Sequence, residues 1–493
     1  MSLSARMPRL LDALVAVLSA VAAWRVVRTV LEAPRHTFAE TRLMPLFRAL
    51  ELSSPYTAPG DGACYLPMYP PLGFLAYAPA ALFQEPASVL QAGAAISLLA
   101  VLLPFALLAR LSSGSPGALR RVALCLAALV FLVHVSPVLV TAVFVHADAP
   151  AIGLVLLGAL PLALGFRRDD QRLLVLAALV LSLAPWTKHT LAPVLLLPAL
   201  ALASRREWRR SAAHLALAAG LQAAWAALFA AVFGGAGLRF WLLEFPALHP
   251  WLGEPLPILA LSARVLLSLV VVEAAVLAGA AIALSARLSL AKDWARHPWC
   301  ILVTGALLLW PTSLLGYVKV GGALNSFLPT ALLLAGALLL LPIDREAGAE
   351  LPSGAPAGAL LVAATLLGGQ AALESAVSPS VADGRNEPES SVAFQTLRKN
   401  PEGFLFPWFP MSTHLATGRF AHSELGIRER ELGGLTVSPA QLRGGLPPQL
   451  RWIVCGKDPC ESTLAHFRVV GRRGLDTPSG AWTIYEVAPL DPR

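Results

Sequence analysis

The feature that most constrains this chain is a series of apolar runs separated by short polar segments. A helix needs about 20 mostly apolar residues to cross a bilayer. Eleven runs have suitable composition, some of them short, and we predict membrane spans at roughly 10–30, 88–109, 122–145, 149–166, 172–187, 190–203, 212–233, 262–286, 299–317, 327–343 and 357–374. Only 14% of the residues are charged, against about 25% in soluble domains. The fold class predicted is an α-helical polytopic membrane protein.

Basic residues fall in short clusters between the apolar runs. Arg6 and Arg9 precede the first run, and alternate loops then carry Arg110, Arg120, Arg121, Arg167, Arg168, Arg172, Arg205, Arg206, Arg209, Arg210, Arg287, Lys292, Arg296 and Arg345. The positive-inside rule assigns such loops to the cytoplasm. The N-terminus is then cytoplasmic, and an odd number of spans puts the C-terminus outside. Because the basic residues form no patch, the net charge of +8 does not indicate nucleic-acid binding.

The loop at 31–87 is long and polar, and this topology puts it outside. Its residues 38–52 have apolar side chains at helical spacing, which predicts an amphipathic interfacial helix. Thr37 and Glu40 have the spacing of a capping box, a role that is compatible with a catalytic Glu40. The 13-residue run 71–83 begins with two prolines and is too short to span. We interpret it as a re-entrant or juxtamembrane helix.

The composition changes at about residue 375. Turn residues, charges and tryptophan replace the apolar runs, so the chain divides into a membrane domain at 1–374 and a small extracytoplasmic α/β domain at 375–493. The segments RWIVCG at 451–456 and AWTIYEVA at 481–488 are typical of strands. Cys455 and Cys460 would close a tight loop if they paired in an oxidising compartment. Their spacing leaves that pairing open.

Polar residues from separate parts of the chain lie near the predicted outer face. Packed helices would bring them together as a polar cup over an apolar floor, which suits a lipid-linked substrate with an anionic phosphate. Asp148, before Pro150, is either a helix N-cap or a functional carboxylate. Lys188 either snorkels to the interface or binds phosphate. The set is Glu40, Arg42, Asp148, Lys188, His189, Arg239, Glu244, His249, Lys319 and Asn325.

Glu273 lies near the middle of the run 262–286. An ionisable group there indicates function by default, and it favours an alternative function, a transporter or lipid flippase without covalent chemistry. A hydrogen-bonded packing role is equally compatible. A third class is a non-catalytic scaffold that presents the C-terminal domain. The sequence has no P-loop, HExxH or GxSxG motif, so transport driven by nucleotide binding to this chain alone is not indicated.

Three short motifs follow one another along the chain in an order that resembles the order in a known family of membrane enzymes. Glu40-Thr41-Arg42 lies in the long first loop, Pro-Pro-Leu-Gly follows at 70–73, and Asp148 precedes a later span. This arrangement resembles the C-type superfamily of polytopic glycosyltransferases, in the branch of the lipid A aminoarabinose transferase and the protein O-mannosyltransferases. Ala39 stands where that branch has the Asp of Asp-Glu-Thr-Arg. Tyr69 replaces a Lys that often precedes Pro-Pro, so that phosphate ligand is either missing or supplied by Lys188 or Lys319.

The resemblance implies an inverting glycosyltransferase at the outer face of the cytoplasmic membrane. Its donor would be a polyprenyl-phosphate-linked sugar, and its acceptor an envelope lipid, glycan or protein. Glu40 and Asp148 are the candidate catalytic residues. Candidate substrate-binding residues are Arg42, Tyr69, Lys188, His189, Lys319 and Asn325. No cofactor is certain; carboxylates in such sites can hold a divalent cation, and no ligand cluster here is diagnostic.

Overall fold

The computed structural model describes residues 38–113, 118–135, 139–251, 293–320, 324–344, 389–456, 458–477 and 480–488, together with residues 24, 27 and 30. About 70% of it is helical, with a small sheet, which is compatible with a helical membrane protein. The predicted spans 262–286 and 357–374 lie outside the described residues, as do Glu273 and most of the predicted span 10–30.

Thirteen α-helices are described between residues 38 and 344. They are α1 (Ala39–Leu50), α2 (Pro71–Leu75), α3 (Pro86–Ser113), α4 (Ala118–Val135), α5 (Asp148–Arg168), α6 (Gln171–Leu181), α7 (Ala184–Thr187), α8 (Leu197–Ser204), α9 (Trp208–Phe233), α10 (Gly235–Arg239), α11 (Phe245–Leu248), α12 (Pro298–Tyr317) and α13 (Leu328–Leu340). By length and composition, four of them are able to cross a membrane, namely α3, α5, α9 and α12. The predicted count of about eleven spans is not confirmed.

Two predicted spans are interrupted helices. The segment 172–187 consists of α6 and the short α7, and α7 has Pro185 in its first turn. The segment 190–203 consists of a 3-10 helix, His189–Leu196, followed by α8. Proline lacks the backbone N–H of a helix interior but fits a first turn, which explains why new helices start at these points.

Helix α5 begins at Asp148 and ends at Arg168, so the residues that contact its two ends lie at two poles of the bundle. At one pole the Arg167 Nε donates to the Arg296 carbonyl oxygen at 2.8 Å, and Arg205 pairs with Asp293 at 2.6 Å. At the other pole Asp148 meets Lys188. The described basic loops and the predicted polar cup thus lie at opposite ends of the bundle.

The loop at 31–87 packs on the pole that holds Asp148. Its predicted amphipathic helix is present as α1, which buries Leu43, Leu46 and Phe47 at helical spacing. The run 71–83 forms α2 and a 3-10 helix, Ala78–Leu82, instead of a span. Gly73 permits a close approach here, because a Cβ at this position would lie 2.6 Å from the Thr187 carbonyl oxygen.

The C-terminal region forms a small α/β fold. Its helices are α14 (Glu389–Lys399), α15 (Pro410–Thr417), α16 (Glu424–Leu432), α17 (Pro439–Gly444) and α18 (Glu461–Leu464), and its strands are β1 (Phe404–Leu405), β2 (Trp452–Cys455), β3 (Val469–Thr477) and β4 (Gly480–Val487). The sheet order is β1-β2-β4-β3. β1 runs parallel to β2, and the other neighbours are antiparallel. The two predicted strands are confirmed as β2 and β4, and Cys455 is bonded to Cys460.

The first loop and the C-terminal fold share one hydrophobic core. Phe47 of the loop and Trp482 of the C-terminal fold are both buried in it, together with Trp241 from the connection between α10 and α11. The backbones also touch, since the Ser423 N–H donates to the Cys64 carbonyl oxygen at 2.8 Å. A Cβ at Gly426 would lie 2.1 Å from that same oxygen. This close seam fixes α16 against the loop, over the pole that holds Asp148.

Candidate functional site

Asp148 is the first residue of α5, and its side chain is completely buried. One carboxylate oxygen, Oδ2, lies 2.6 Å from His146 Nδ1. The other oxygen, Oδ1, accepts a hydrogen bond from the Lys188 ammonium. A buried carboxylate is stable only when it is paired and hydrogen-bonded, and these two partners meet that requirement.

His146 presents its second ring nitrogen to other polar groups. Nε2 lies 2.8 Å from the Tyr69 hydroxyl and 3.1 Å from the Asn325 side-chain nitrogen. We assign the ring proton to Nδ1, because this atom lies closer to the Asp148 carboxylate, at 2.6 Å, than to the Asp148 backbone nitrogen, at 3.2 Å. Burial lowers the pKa of His146 to about 4. The ring is therefore neutral near pH 7, with the Nε2 lone pair available as a base.

The main chain around His146 is held by Tyr77. The Tyr77 hydroxyl donates to the His146 carbonyl oxygen at 2.7 Å and lies 3.1 Å from its backbone nitrogen. The Ser97 hydroxyl forms a hydrogen bond with the same Tyr77 hydroxyl at 2.7 Å. These contacts come from the loop and from α3, so the position of the imidazole is set by several elements at once.

Three residues of the predicted set, Arg42, Tyr69 and Asn325, lie around this histidine. The Arg42 guanidinium donates to the Val145 carbonyl oxygen at 3.3 Å. Asn325 also lies 3.5 Å from Asp148 Oδ2. Burial raises the pKa of the Tyr69 hydroxyl, which keeps it a neutral hydrogen-bonding group.

Lys319 and His189 lie apart from this cluster. The Lys319 ammonium donates to the Pro246 carbonyl oxygen and lies 4.9 Å from the centre of the Trp251 ring. His189 is exposed at the start of its 3-10 helix. Arg239 and Glu244 form an exposed ion pair at 2.7 Å. The structure thus brings only part of the predicted set together.

Glu40 has a different partner from Asp148. It is buried, and its carboxylate accepts hydrogen bonds from the Ser412 N–H at 2.9 Å and the Ser412 hydroxyl at 2.8 Å. Ser412 lies in the first turn of α15, where backbone N–H groups need acceptors. Burial raises the pKa of Glu40 to about 7 against the effect of these bonds. In this arrangement Glu40 joins α1 to the C-terminal fold.

A cavity of about 420 Å³ opens beside His146. Three parts of the molecule line it. The first loop contributes Phe38, Thr41, Arg42, Leu66, Met68 and Tyr69; the membrane helices and their connections contribute Thr141, Phe144, His146 and Asn325; and α16 contributes Leu425, Arg428 and Glu429. Glu40 is not among the described residues that line this space. The volume is within the range of small-molecule sites, and aromatic walls with a few polar groups are their usual composition.

Sequence reasoning missed two contributors to this site. His146 was not among the candidate residues, although its position two residues before Asp148 was a usable signal. The α16 wall had no sequence signal, because it arises from packing between segments more than 350 positions apart. Such contacts do not follow from local periodicity.

Within the described ranges, no group of three or more His, Cys, Asp and Glu side chains is arranged to hold a metal ion.

Fold and site define a class, a helical membrane protein with a cavity that a small α/β fold lines in part. The chain matches no protein-family model and no curated protein. Function is therefore inferred from the geometry of the site.

Proposed function

We propose that this protein is a membrane glycosyltransferase that moves a sugar from a polyprenyl-phosphate-linked donor to an acceptor in the cell envelope. The observation that carries the proposal is the His146–Asp148 pair, whose free-base nitrogen faces a cavity at the end of the membrane helices. Arg42 brings a guanidinium charge to the same cavity. A base and a cation at the edge of a bilayer fit a reaction between a lipid phosphate ester and a polar acceptor.

The base is His146. An acceptor hydroxyl or amine takes the place of the Tyr69 hydroxyl at Nε2 and gives its proton to that nitrogen. The acceptor atom forms a bond to the anomeric carbon as the bond from that carbon to the phosphate oxygen breaks. Polyprenyl phosphate leaves with the electron pair, and the anomeric centre inverts. Asp148 stabilises the imidazolium that forms, as a buried carboxylate does in a catalytic triad.

The two predicted cations have different roles in this mechanism. Arg42 binds the phosphate, because guanidinium is suited to phosphate recognition and this one lines the cavity. Lys188 is held by Asp148 and keeps that carboxylate ionised and oriented. Glu40 is a positioning residue, since its carboxylate is occupied by Ser412.

The proposed location is the cytoplasmic membrane, with the cavity on its outer face. The basic loops at the opposite pole support this orientation by the positive-inside rule. The Cys455–Cys460 disulfide supports it too, because disulfides persist in oxidising compartments.

The test is transfer of labelled sugar in proteoliposomes, using a panel of polyprenyl-phosphate-linked sugars and an envelope extract as the acceptor source. We expect covalent transfer by the wild type and a loss of about 10² to 10⁴ in rate for His146→Ala, the usual effect of removing a general base. His466→Ala is the control, because His466 lies in the C-terminal fold and pairs with Glu431. Lipid-sugar flux without covalent transfer would contradict the proposal and favour a flippase.

A further inference from the structure

The α16 wall of the cavity is built into the fold. Leu425, Arg428 and Glu429 have the spacing that puts side chains on one face of a helix, and all three line the cavity. The helix is fixed at its start, where the Ser423 hydroxyl accepts the Gly426 N–H at 3.0 Å. The Arg430 guanidinium further donates to the Tyr65 carbonyl oxygen of the first loop at 3.0 Å.

Polar groups on this wall are incompletely satisfied. The Glu429 carboxylate is buried, and its two charged neighbours make long contacts with it: Arg428 donates a hydrogen bond at 3.4 Å and His249 Nδ1 lies at 3.5 Å. Two further atoms of cavity residues, Thr41 Oγ1 and Arg428 Nε, are buried with no hydrogen-bond partner in the part of the chain that the structure describes. Buried polar groups are normally paired, so these atoms indicate a polar ligand.

The hydrogen-bonding properties of Glu429, Arg428 and Thr41 indicate the chemistry of that ligand. Glu429 only accepts hydrogen bonds when ionised, Arg428 only donates, and Thr41 does both. A phosphate beside Glu429 would meet like-charge repulsion. A molecule rich in hydroxyl groups satisfies all three residues, because each hydroxyl both donates and accepts. Phe38 and Phe144 supply the apolar surface that such pockets use to hold a ring.

We propose that α16 forms an acceptor subsite for a hydroxyl-rich molecule, a sugar or polyol, with Glu429 accepting its hydroxyl hydrogens and Arg428 and Thr41 donating to its oxygens. That the bound molecule is the acceptor substrate rests on the proposed function. A lipid-linked donor enters from the membrane side of the cavity, so the wall supplied by the C-terminal fold faces the second substrate. The hydroxyl that reacts then lies between this wall and His146.

The test is binding of methyl glycosides of glucose, galactose and mannose to the full chain in nanodiscs, by titration calorimetry. We expect at least one of them to bind the wild type. We expect Glu429→Gln to weaken that binding about tenfold or more, because hydrogen bonds to an ionised group are among the strongest in proteins. Glu431→Gln is the matched control on the exposed side of α16 and should change binding less than about twofold.

If Glu429→Gln does not give folded protein, Arg428→Ala replaces it, with the exposed Arg443→Ala as its control. Absence of binding by the wild type, or equal binding by the wild type, Glu429→Gln and Arg428→Ala, would overturn the subsite. Transfer without glycoside binding would overturn the subsite and leave the proposed function standing. Binding that depends on Glu429, in a protein without transferase activity, would support the subsite and overturn the proposed function.

Discussion

Asp148 satisfies two neighbours at once, the imidazole of His146 and the ammonium of Lys188. Both contacts are buried, so water cannot replace either partner. Removing one member of a buried ion pair leaves the other charge without compensation, whereas removing both charges avoids that cost. Substitutions of Asp148 and Lys188 therefore separate the effect of their ion pair on stability from the effect of Asp148 on the orientation of His146.

We expect Asp148→Asn to lower the free energy of unfolding by about 3–5 kcal/mol, because Lys188 keeps its charge in a buried place. The double variant Asp148→Asn with Lys188→Met should recover most of that loss. Thermal unfolding of the wild type and these two variants in nanodiscs measures both effects. An Asp148→Asn protein as stable as the wild type would contradict the pairing.

Glu40 gives a pH-dependent prediction. Its pKa rises from an ordinary value of 4.5 to about 7 on folding. The folded state thus holds a proton that the unfolded state releases, so this contribution to stability is full below pH 4.5 and is lost as the pH rises to about 7. Glu40→Gln cannot titrate. Relative to wild type it should gain up to about 3 kcal/mol between pH 4.5 and 7.5.

Thermal unfolding against pH checks this expectation, with Glu51→Gln as the control because Glu51 is exposed just after α1. Transfer by Glu40→Gln should stay within about tenfold of wild type, since the variant keeps an oxygen for Ser412. A loss of 10² or more would instead identify Glu40 as the general base.

At the residue scale, proximity can be predicted from the sequence only where chain topology alone decides it. Asp148, Lys188 and Asn325 lie at helix ends, and reversing helices bring such ends together whatever the exact packing. The partner of Glu40 was not predictable, because Ser412 is 372 positions away and belongs to a separate fold. The same limit applies to Lys319, whose contact with Pro246 depends on how two connections cross.

At the scale of elements, α3 and α5 pack with their backbones in contact. A Cβ at Gly153 would lie 2.2 Å from the Ala100 carbonyl oxygen. Backbone atoms cannot rotate away, so one helix must shift. Small residues at helix contacts are the usual means of such close approach in membranes.

We expect Gly153→Ala to cost about 1–3 kcal/mol of stability, the usual range for overpacking. Gly220→Ala in α9 is the control, because a Cβ there meets no atom within 4 Å. Its higher helix propensity should make that variant neutral or slightly stabilised. Thermal unfolding in nanodiscs compares the two, and equal stability of both variants would contradict the α3–α5 contact.

Element prediction followed the strength of the local pattern. Continuous apolar runs were found as α3, α5, α9 and α12, and the β-branched, aromatic segments as β2 and β4. β3 was missed because VVGRRGLDT carries two glycines and two arginines and becomes a strand by pairing with β4. The interruptions at Leu183 and at Leu196 were missed because both segments have the composition of continuous spans.

For the whole molecule, the account predicts opposite exposure of the two poles. Arg468→Cys in the C-terminal fold should react with a membrane-impermeant maleimide on intact cells, whereas Arg168→Cys should react only after permeabilisation. Both positions are exposed. The wild type controls for Cys64 and Cys125, which are buried, and for the half-buried Cys300. The reverse labelling pattern would contradict the outer position of the cavity.

The whole-molecule arrangement also explains why the C-terminal fold is part of the site. The first loop and this fold share a core, and their seam puts α16 over His146. Composition predicts a boundary near residue 375, which lies outside the described residues. It carried no information on docking, because the surfaces that dock are assembled from distant segments.

The most direct test of the central claim is a cryo-EM structure of the full chain in nanodiscs with polyprenyl phosphate bound. The account predicts phosphate density in the cavity at the Arg42 guanidinium, on the side of His146 Nε2, with the Lys188 ammonium still on Asp148. Phosphate density at Lys319, outside the cavity, would contradict it.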